Sequence, residues 1–201
     1  MQIVLATHNK DKIREIKNLL GNLPVEIKTF EDFPDMPDVD ETGTTLEENA
    51  LLKSNAINKY TGLTALADDT GLEVDALGGQ PGVYSARYAG PGCSYEDNCN
   101  KMLDALKNVS TERRNASFRT VIAITWGKDD VETVEGRADG IITTSKQGES
   151  GFGYDPVFYY PPLGKTFAEM TLDEKNKVSH RGLALLKARE LIKRYIENHP
   201  G

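Results

Sequence analysis

The sequence is short of the residue types that build metal clusters and covalent frameworks. It has two cysteines, three histidines and one tryptophan in 201 residues. Cys93 and Cys99 have five residues between them and His8, His180 and His199 are scattered, so no zinc-ligand spacing forms. Two unpaired thiols fit a reducing compartment. Positive charge is in deficit: 24 Lys and Arg against 31 Asp and Glu give a net charge of −7. That argues against a nucleic-acid partner, which calls for a basic surface, but leaves room for a small anion in a local basic pocket. Long apolar runs are missing too. No window reaches the length of a membrane span, and the opening Met1-Gln2-Ile3-Val4-Leu5-Ala6 has no basic flank and too short an apolar run for a signal peptide. The expectation is a cytoplasmic protein with no membrane or nucleic-acid partner.

What is present is ordinary globular material, 38% hydrophobic and 27% charged, without internal repeats or low-complexity segments. The length fits one domain over residues 1–201, with room for two lobes. Residues 3–6 read as a first, central strand. A polar loop, Thr7-His8-Asn9-Lys10-Asp11-Lys12, leads into a helix with Ile13, Ile16 and Leu20 on one stripe. Free amides and the dipole at such a helix start suit a phosphate. The loop has none of the glycines of a known phosphate loop, so a plain Asn9 or Asp11 cap with solvated lysines is the competing reading.

Residues 25–30 read as a second strand and 33–41 as an acidic, proline-broken loop that carries Glu41 toward the next element. Thr45-Leu46-Glu47-Glu48 is a capping box. The helix it opens runs to about residue 60 with an inward stripe of Leu46, Ala50, Ile57 and Tyr60. Lys53 falls on that stripe, and Asn49 one turn before it. An inward lysine calls for an anion.

The stretch Leu66-Ala67-Asp68-Asp69-Thr70-Gly71-Leu72 draws the rest together. A buried strand over 63–67 is expected to leave the sheet into two carboxylates and a glycine turn. Alternation sends Asp68 and Asp69 to opposite faces. The stretch by itself fits a backbone-capping turn as well as a site. Further on, 97–108 reads as a helix, 117–126 and 131–134 as a hairpin, 136–144 as another strand, and the middle of the chain as antiparallel. Gly151-Phe152-Gly153-Tyr154-Asp155-Pro156 is a glycine-aromatic loop whose Phe152 and Tyr154 are poised to stack on a flat ring. A short helix over 172–177 carries Lys175. His180 and Arg181 occupy the first turn of a long last helix, where positive charge opposes the dipole and an anion would relieve it. Alternating strands and helices followed by antiparallel strands point to an α/β protein with a mixed sheet. The polar set, with carboxylates at Glu41 and Asp69, is what a nucleotide with Mg²⁺ would use.

Six stretches together resemble the inosine triphosphate pyrophosphatase family in its bacterial branch, the XTP/dITP diphosphatases or Ham1-like proteins. They are Thr7 to Lys12, Glu48-Asn49-Ala50 with Lys53, Ala67 to Leu72, Gly78-Gly79-Gln80-Pro81-Gly82-Val83-Tyr84-Ser85-Ala86-Arg87-Tyr88, Phe152 to Pro156, and Glu174-Lys175-Asn176-Lys177-Val178-Ser179-His180-Arg181. Thr70 departs from the serine common in bacterial members but keeps the hydroxyl. The resemblance implies a two-lobed α/β fold with a long mixed sheet flanked by helices, an active-site cleft between the lobes, and a homodimer. It implies hydrolysis of XTP, ITP and dITP to the monophosphate and pyrophosphate. Residue by residue it implies that Thr7, His8, Asn9, Lys10, Asp11 and Lys12 grip the phosphates and that Asp69 is proton acceptor and Mg²⁺ ligand with Glu41. Lys53 assists catalysis, and Thr70, Phe152, Gly153, Tyr154, Asp155, Lys175, His180 and Arg181 contact the nucleotide. Asp40 competes with Glu41 as second ligand. Asp68 is left a bracing role toward the turn at Gly71. The alternatives are a Maf-like pyrophosphatase for other bases and a non-catalytic nucleotide-binding regulator.

Overall fold

The computed structural model describes residues 1–199. Strands β1 (Gln2–Leu5) and β2 (Glu26–Lys28) flank helix α1 (Lys10–Leu20), and α2 (Leu46–Thr61) leads into β3 (Thr64–Val74). β1 pairs in parallel with both β2 and β3, which α1 and α2 permit as crossovers. Strand β4 (Pro81–Gly82) pairs antiparallel with β3. Helix α3 (Tyr95–Ala105) precedes the long hairpin β5 (Asn115–Gly127) and β6 (Asp130–Ile142). Strands β7 (Phe158–Tyr160) and β8 (Lys165–Thr166), then helices α4 (Leu172–Val178) and α5 (His180–Asn198), complete the chain. The fold is α/β, with one mixed eight-stranded sheet in the order β2-β1-β3-β5-β6-β7-β8 and β4 on β3.

The contacts divide the chain into two compact units. One comprises Met1–Asp69, Thr120–Gly136 and Gly182–Gly201, the other Thr70–Arg119 and Arg137–Arg181. In the first unit strand alternation sorts the core. Ile3, Leu5 and Leu66 face the stripe of α1 and the Leu185, Ala188 and Ile192 face of α5. Val4, Ala6, Ala65 and Ala67 face the other way, against Ile57 of α2 and Met36. Both faces are covered, so the central strands need continuous apolar runs. Each fully buried Leu or Ile contributes roughly 1.5–3 kcal/mol. In the second unit Leu72, Val74, Phe118, Ile142, Phe158 and Phe167 form a separate core with Met102 and Leu106.

Several expected boundaries shift. β3 does not leave the sheet at residue 67; it runs on through Asp68, Asp69, Thr70 and Gly71. β6 is one strand where two short ones were expected. α3 begins at Tyr95, where Ser94 and Asp97 form a capping box. Tyr60 is not inward: it is exposed, because the last turn of α2 passes beyond the core. Tyr195 meets the core through its ring, stacked on Trp126 at 4.1 Å and 5°.

Candidate functional site

In the first unit the residues of interest gather along the first half of α2. The capping box is complete, with the Glu48 amide donating to Thr45 Oγ1 at 3.1 Å and the Thr45 amide to Glu48 Oε2 at 3.1 Å. It fixes where the helix starts; the buried face of Leu46, Ala50 and Ile57 turns Asn49 and Lys53, one turn apart, inward. Lys53 Nζ donates to Glu41 Oε1 at 2.6 Å, to the Asp68 carbonyl at 2.7 Å and to Asp69 Oδ1 at 3.2 Å. Asn49 Nδ2 donates to Asp69 Oδ2 at 3.3 Å.

One ammonium therefore serves several anions. Burial pulls the Lys53 pKa down, but Asp69, Asp68 and Glu41 outweigh it and hold the group above its ordinary value. Burial also pushes the Asp69 carboxyl above its ordinary value; Lys53 and Lys12 pull against that, while Glu41 adds to it. A shared cation is over-compensated and its anions are under-compensated. Asp69 is thereby a stronger base than an exposed carboxylate.

The neighbouring carboxylate has a different partner. Asp68 shares the strand face of Leu66, and its Oδ2 pairs with Lys12 Nζ of α1 at 3.0 Å. The opposite-face expectation holds, but Asp68 braces α1, not the turn at Gly71, since Gly71 lies inside β3. Each Asp is kept in the strand by a lysine from the helix covering its own face. Asn9 caps α1, its Oδ1 accepting the Asp11 and Lys12 amides at 3.0 and 3.2 Å, while Thr7 Oγ1 accepts the Asn9 amide at 3.2 Å. Lys10 is exposed beside this cap. His8 turns to the acidic loop, with Nε2 at 3.1 Å from Asp38 Oδ1 and its ring 5.0 Å from Phe30. A cavity of about 210 Å³ is lined by Thr7, His8, Met36, Asp38, Lys53 and neighbours.

The second unit gathers the others. Asp155 is buried and its Oδ2 accepts the Phe152 amide at 2.8 Å and Lys175 Nζ at 2.7 Å. Gly151 permits this approach: at φ +76 it lies so close that an added Cβ would stand 2.1 Å from Asp155 Oδ2. Lys175 Nζ and Arg181 Cζ lie over the Phe152 ring at 4.9 and 5.2 Å from its centre. Arg181 Nη2 donates to Thr70 Oγ1 at 3.1 Å. The His180 ring is buried and stacks on Phe118 at 4.2 Å and 12°. Tyr154 does not share the stacking position expected of it. Its ring belongs to the core and its hydroxyl donates to the Ser85 carbonyl at 2.9 Å. Gly153 turns within the loop, its carbonyl accepting from the Cys99 thiol at 3.2 Å. Arg87 is exposed and stacked over Tyr84.

Among the described residues no three His, Cys, Asp or Glu side chains cluster to hold a metal ion. Glu41 and Asp69 are nonetheless two hard oxygen donors already gathered about one positive charge, the donor type and number a Mg²⁺ site takes before substrate phosphates are added. Asp40 is exposed and Glu41 is the one in contact with Lys53.

Comparison with known proteins decides the lineage. The Ham1 family model matches residues 3–191. This chain belongs to the Ham1 family. A relative from Thermoanaerobacter sp. (strain X514), named dITP/XTP pyrophosphatase, is 48% identical over 197 residues, covering 98% of this chain and 99% of its own. One of the same name from Geobacter sulfurreducens is 51% identical over 188 residues, 92% of this chain and 94% of its own. The solved HAM1 protein of Coxiella burnetii superposes with a TM-score of 0.89 at 40% identity, over 96% of this chain and 99% of its own. The Staphylococcus aureus Ham1 protein gives 0.86 at 40% identity, over 97% and 100%.

Three features of this Ham1 chain escaped sequence reasoning. Ser85 Oγ accepts the Leu72 amide at 2.8 Å, tying the glycine-rich loop to β3. Tyr95 opens α3 beside Phe152, with ring centres 5.7 Å apart. The third is the Asp68–Lys12 pair. The spacing of Asn49 and Lys53, with the alternation of β3, is the legible signal for the buried polar group at Asp69.

Proposed function

We propose that this chain is a pyrophosphatase of deaminated purine nucleoside triphosphates, releasing pyrophosphate and the monophosphate from XTP, ITP or dITP. The observation that carries it is a buried Asp69 of raised pKa that accepts from Lys53 and Asn49, with Glu41 on the same ammonium, in a chain about half identical to relatives named dITP/XTP pyrophosphatase. Asp69 takes the proton from a water that attacks the α-phosphorus. Lys53 and Lys12 carry the positive charge that offsets the charge building on the bridging oxygen. Glu41 and Asp69 would hold Mg²⁺, which neutralises phosphate charge when bound. The Asn9-capped start of α1, with Thr7, His8, Lys10 and Asp11, is the phosphate end.

In the second unit Phe152 offers a ring face to the base, and Thr70, Lys175, His180 and Arg181 surround it with donors. Gly153, Tyr154 and Asp155 shape that loop. A C6 carbonyl, shared by inosine and xanthine, accepts from such donors. The adenine amino group leaves them unpaired, at about 1–3 kcal/mol per lost bond. The family resemblance carries two further expectations, a homodimer and a single domain with two lobes, and the composition carries a third, a cytoplasmic location. No helix among the described residues is long and apolar enough to cross a membrane.

The test is a panel of nucleoside triphosphates with Mg²⁺, assayed separately for pyrophosphate and orthophosphate. Pyrophosphate from ITP and XTP, with ATP spared, is the expected result. Faster turnover of dTTP and UTP would instead support a Maf-like enzyme. Tight ITP binding without product would indicate a regulator. Omitting the metal should abolish turnover, and light scattering reads the dimer.

A further inference from the structure

Asn49 is fully buried in α2, and the reaction outlined above gives it nothing to do. Its amide is used at both ends. Oδ1 accepts the Gly43 amide at 2.8 Å and Nδ2 donates to Asp69 Oδ2 at 3.3 Å. The orientation is forced, because a backbone N–H can only meet the oxygen and an ionised carboxylate can only meet the amino group. We infer that Asn49 is a positioning residue for the hydrolytic step, joining the loop that carries Glu41 to the carboxylate of Asp69. The inference rests on the reading of Asp69 as base and Glu41 as its partner.

Two observations support a coupling role beyond filling space. The first concerns Asp69. Its Oδ1 is met by Lys53 and its Oδ2 by Asn49, from successive turns of one helix. The ammonium sits at the end of a flexible four-carbon stem and is shared with Glu41 and the Asp68 carbonyl. The carboxamide is short and buried, so it is the contact that sets the carboxylate plane. A base must hold that plane to keep its lone pair on the attacking water.

The second observation concerns the loop. Gly43 comes two residues after Glu41 and is pressed onto the helix start: an added Cβ would stand 2.6 Å from Asn49 Oδ1 and 2.7 Å from Glu48 Cβ. The next two amides, of Thr44 and Thr45, are held by Glu48 Oε2 at 2.6 and 3.1 Å. The chain is thus stitched to α2 at 43, 44 and 45, which delivers Glu41 to Lys53. Of the three stitches only the one at Gly43 continues to Asp69. A displacement of the loop is therefore felt by the base through Asn49.

The experiment compares Asn49→Ala, Gly43→Ala, the double variant and Asp69→Asn. Rates with ITP are measured well below each melting temperature, alongside the upward shift of melting temperature on adding Mg²⁺ without nucleotide. Lost outer contacts of this kind typically cost about 10–100-fold. Asn49→Ala is expected to lower kcat by that factor with KM unchanged, and to shrink the Mg²⁺-induced shift. Gly43→Ala keeps the amide but displaces the loop, so it should move both readouts the same way. The double variant should be no worse than Asn49→Ala, because one link is broken twice. A rise in KM with kcat intact, multiplicative losses, or wild-type kcat in a folded Asn49→Ala protein would overturn the coupling. Should Asn49→Ala fail to fold, Gly43→Ala in the loop decides alone. An active Asp69→Asn would show that the base itself was misassigned. An inactive Asp69→Asn beside a fully active Asn49→Ala would sink only the coupling.

Discussion

Asp69→Asn tests the proposed chemistry most directly, because the substitution keeps the shape, removes the charge and turns one of the two acceptor oxygens into a donor; with Asn49 Nδ2 fixed on one oxygen, the new amino group falls on the Lys53 side. Lys53 retains Glu41 at 2.6 Å and the Asp68 carbonyl at 2.7 Å, so the ammonium is not stranded. What it loses is one charge-assisted contact at 3.2 Å, about 1.5–3 kcal/mol in gross terms. Against that stands relief from burying a carboxylate that burial already disfavours. The net change in stability should stay within about 2 kcal/mol, or roughly 4–8 °C in Tm for a chain this long. The kinetic effect is far larger. Removing a general base costs about 10²–10⁴ in rate, equal to roughly 3–5.5 kcal/mol of barrier. Loss of a metal-binding oxygen would push the figure to the upper end. The assay is pyrophosphate release at saturating ITP and Mg²⁺, with nucleotide affinity from calorimetry and Tm measured in parallel. The expected variant is folded, binds ITP, and turns over at least about a hundredfold more slowly. A kcat within tenfold of the wild type would refute the assignment of Asp69.

Two further outcomes separate bracing from binding. Lys12→Met withdraws one cationic partner, at 3.0 Å, from an Asp68 whose side chain is fully buried. Breaking such a pair costs about 3–5 kcal/mol. Differential scanning calorimetry without nucleotide should therefore show a drop of about 10 °C; an unchanged Tm would mean that Lys12 serves phosphate alone. Glu174 closes the capping box of α4, its Oε2 taking the Thr171 amide at 2.9 Å and its Oε1 taking Lys165 Nζ at 2.8 Å. The Lys165 contact first, then the Thr171 amide, draw its carboxyl down to about 2 from the ordinary 4.5. The stabilisation is thus present above pH 4.5 and fades as pH falls toward 2. The Tm gap between wild type and Glu174→Gln should be constant near neutrality and close on acidification; a gap that widens would contradict the contact.

The sequence by itself determined the class of fold and the residue types available for chemistry. Its periodicities placed β1, α1, α2, β5 and the last helix, because apolar spacing reports which face of an element is buried whatever covers it. The capping box at Thr45 marked the start of α2, and the apolar stripe that follows turned Lys53 inward. Strand alternation told Asp68 and Asp69 apart before any partner was known. Tertiary structure decided what polarity and turn propensity cannot report. Asp68-Asp69-Thr70-Gly71 reads locally as a turn, yet it is the middle of an eleven-residue strand. Lysines from α1 and α2, 56 and 16 residues away in sequence, neutralise the two carboxylates on their separate faces. The same holds for Tyr154, whose glycine-flanked position looks open but whose ring lies in the core against Phe118. His8 meets Asp38, on a loop with no periodic signal. Long-range pairing assigned each of these side chains its partner. Local sequence carries propensity but not the identity of the group that meets it across the fold.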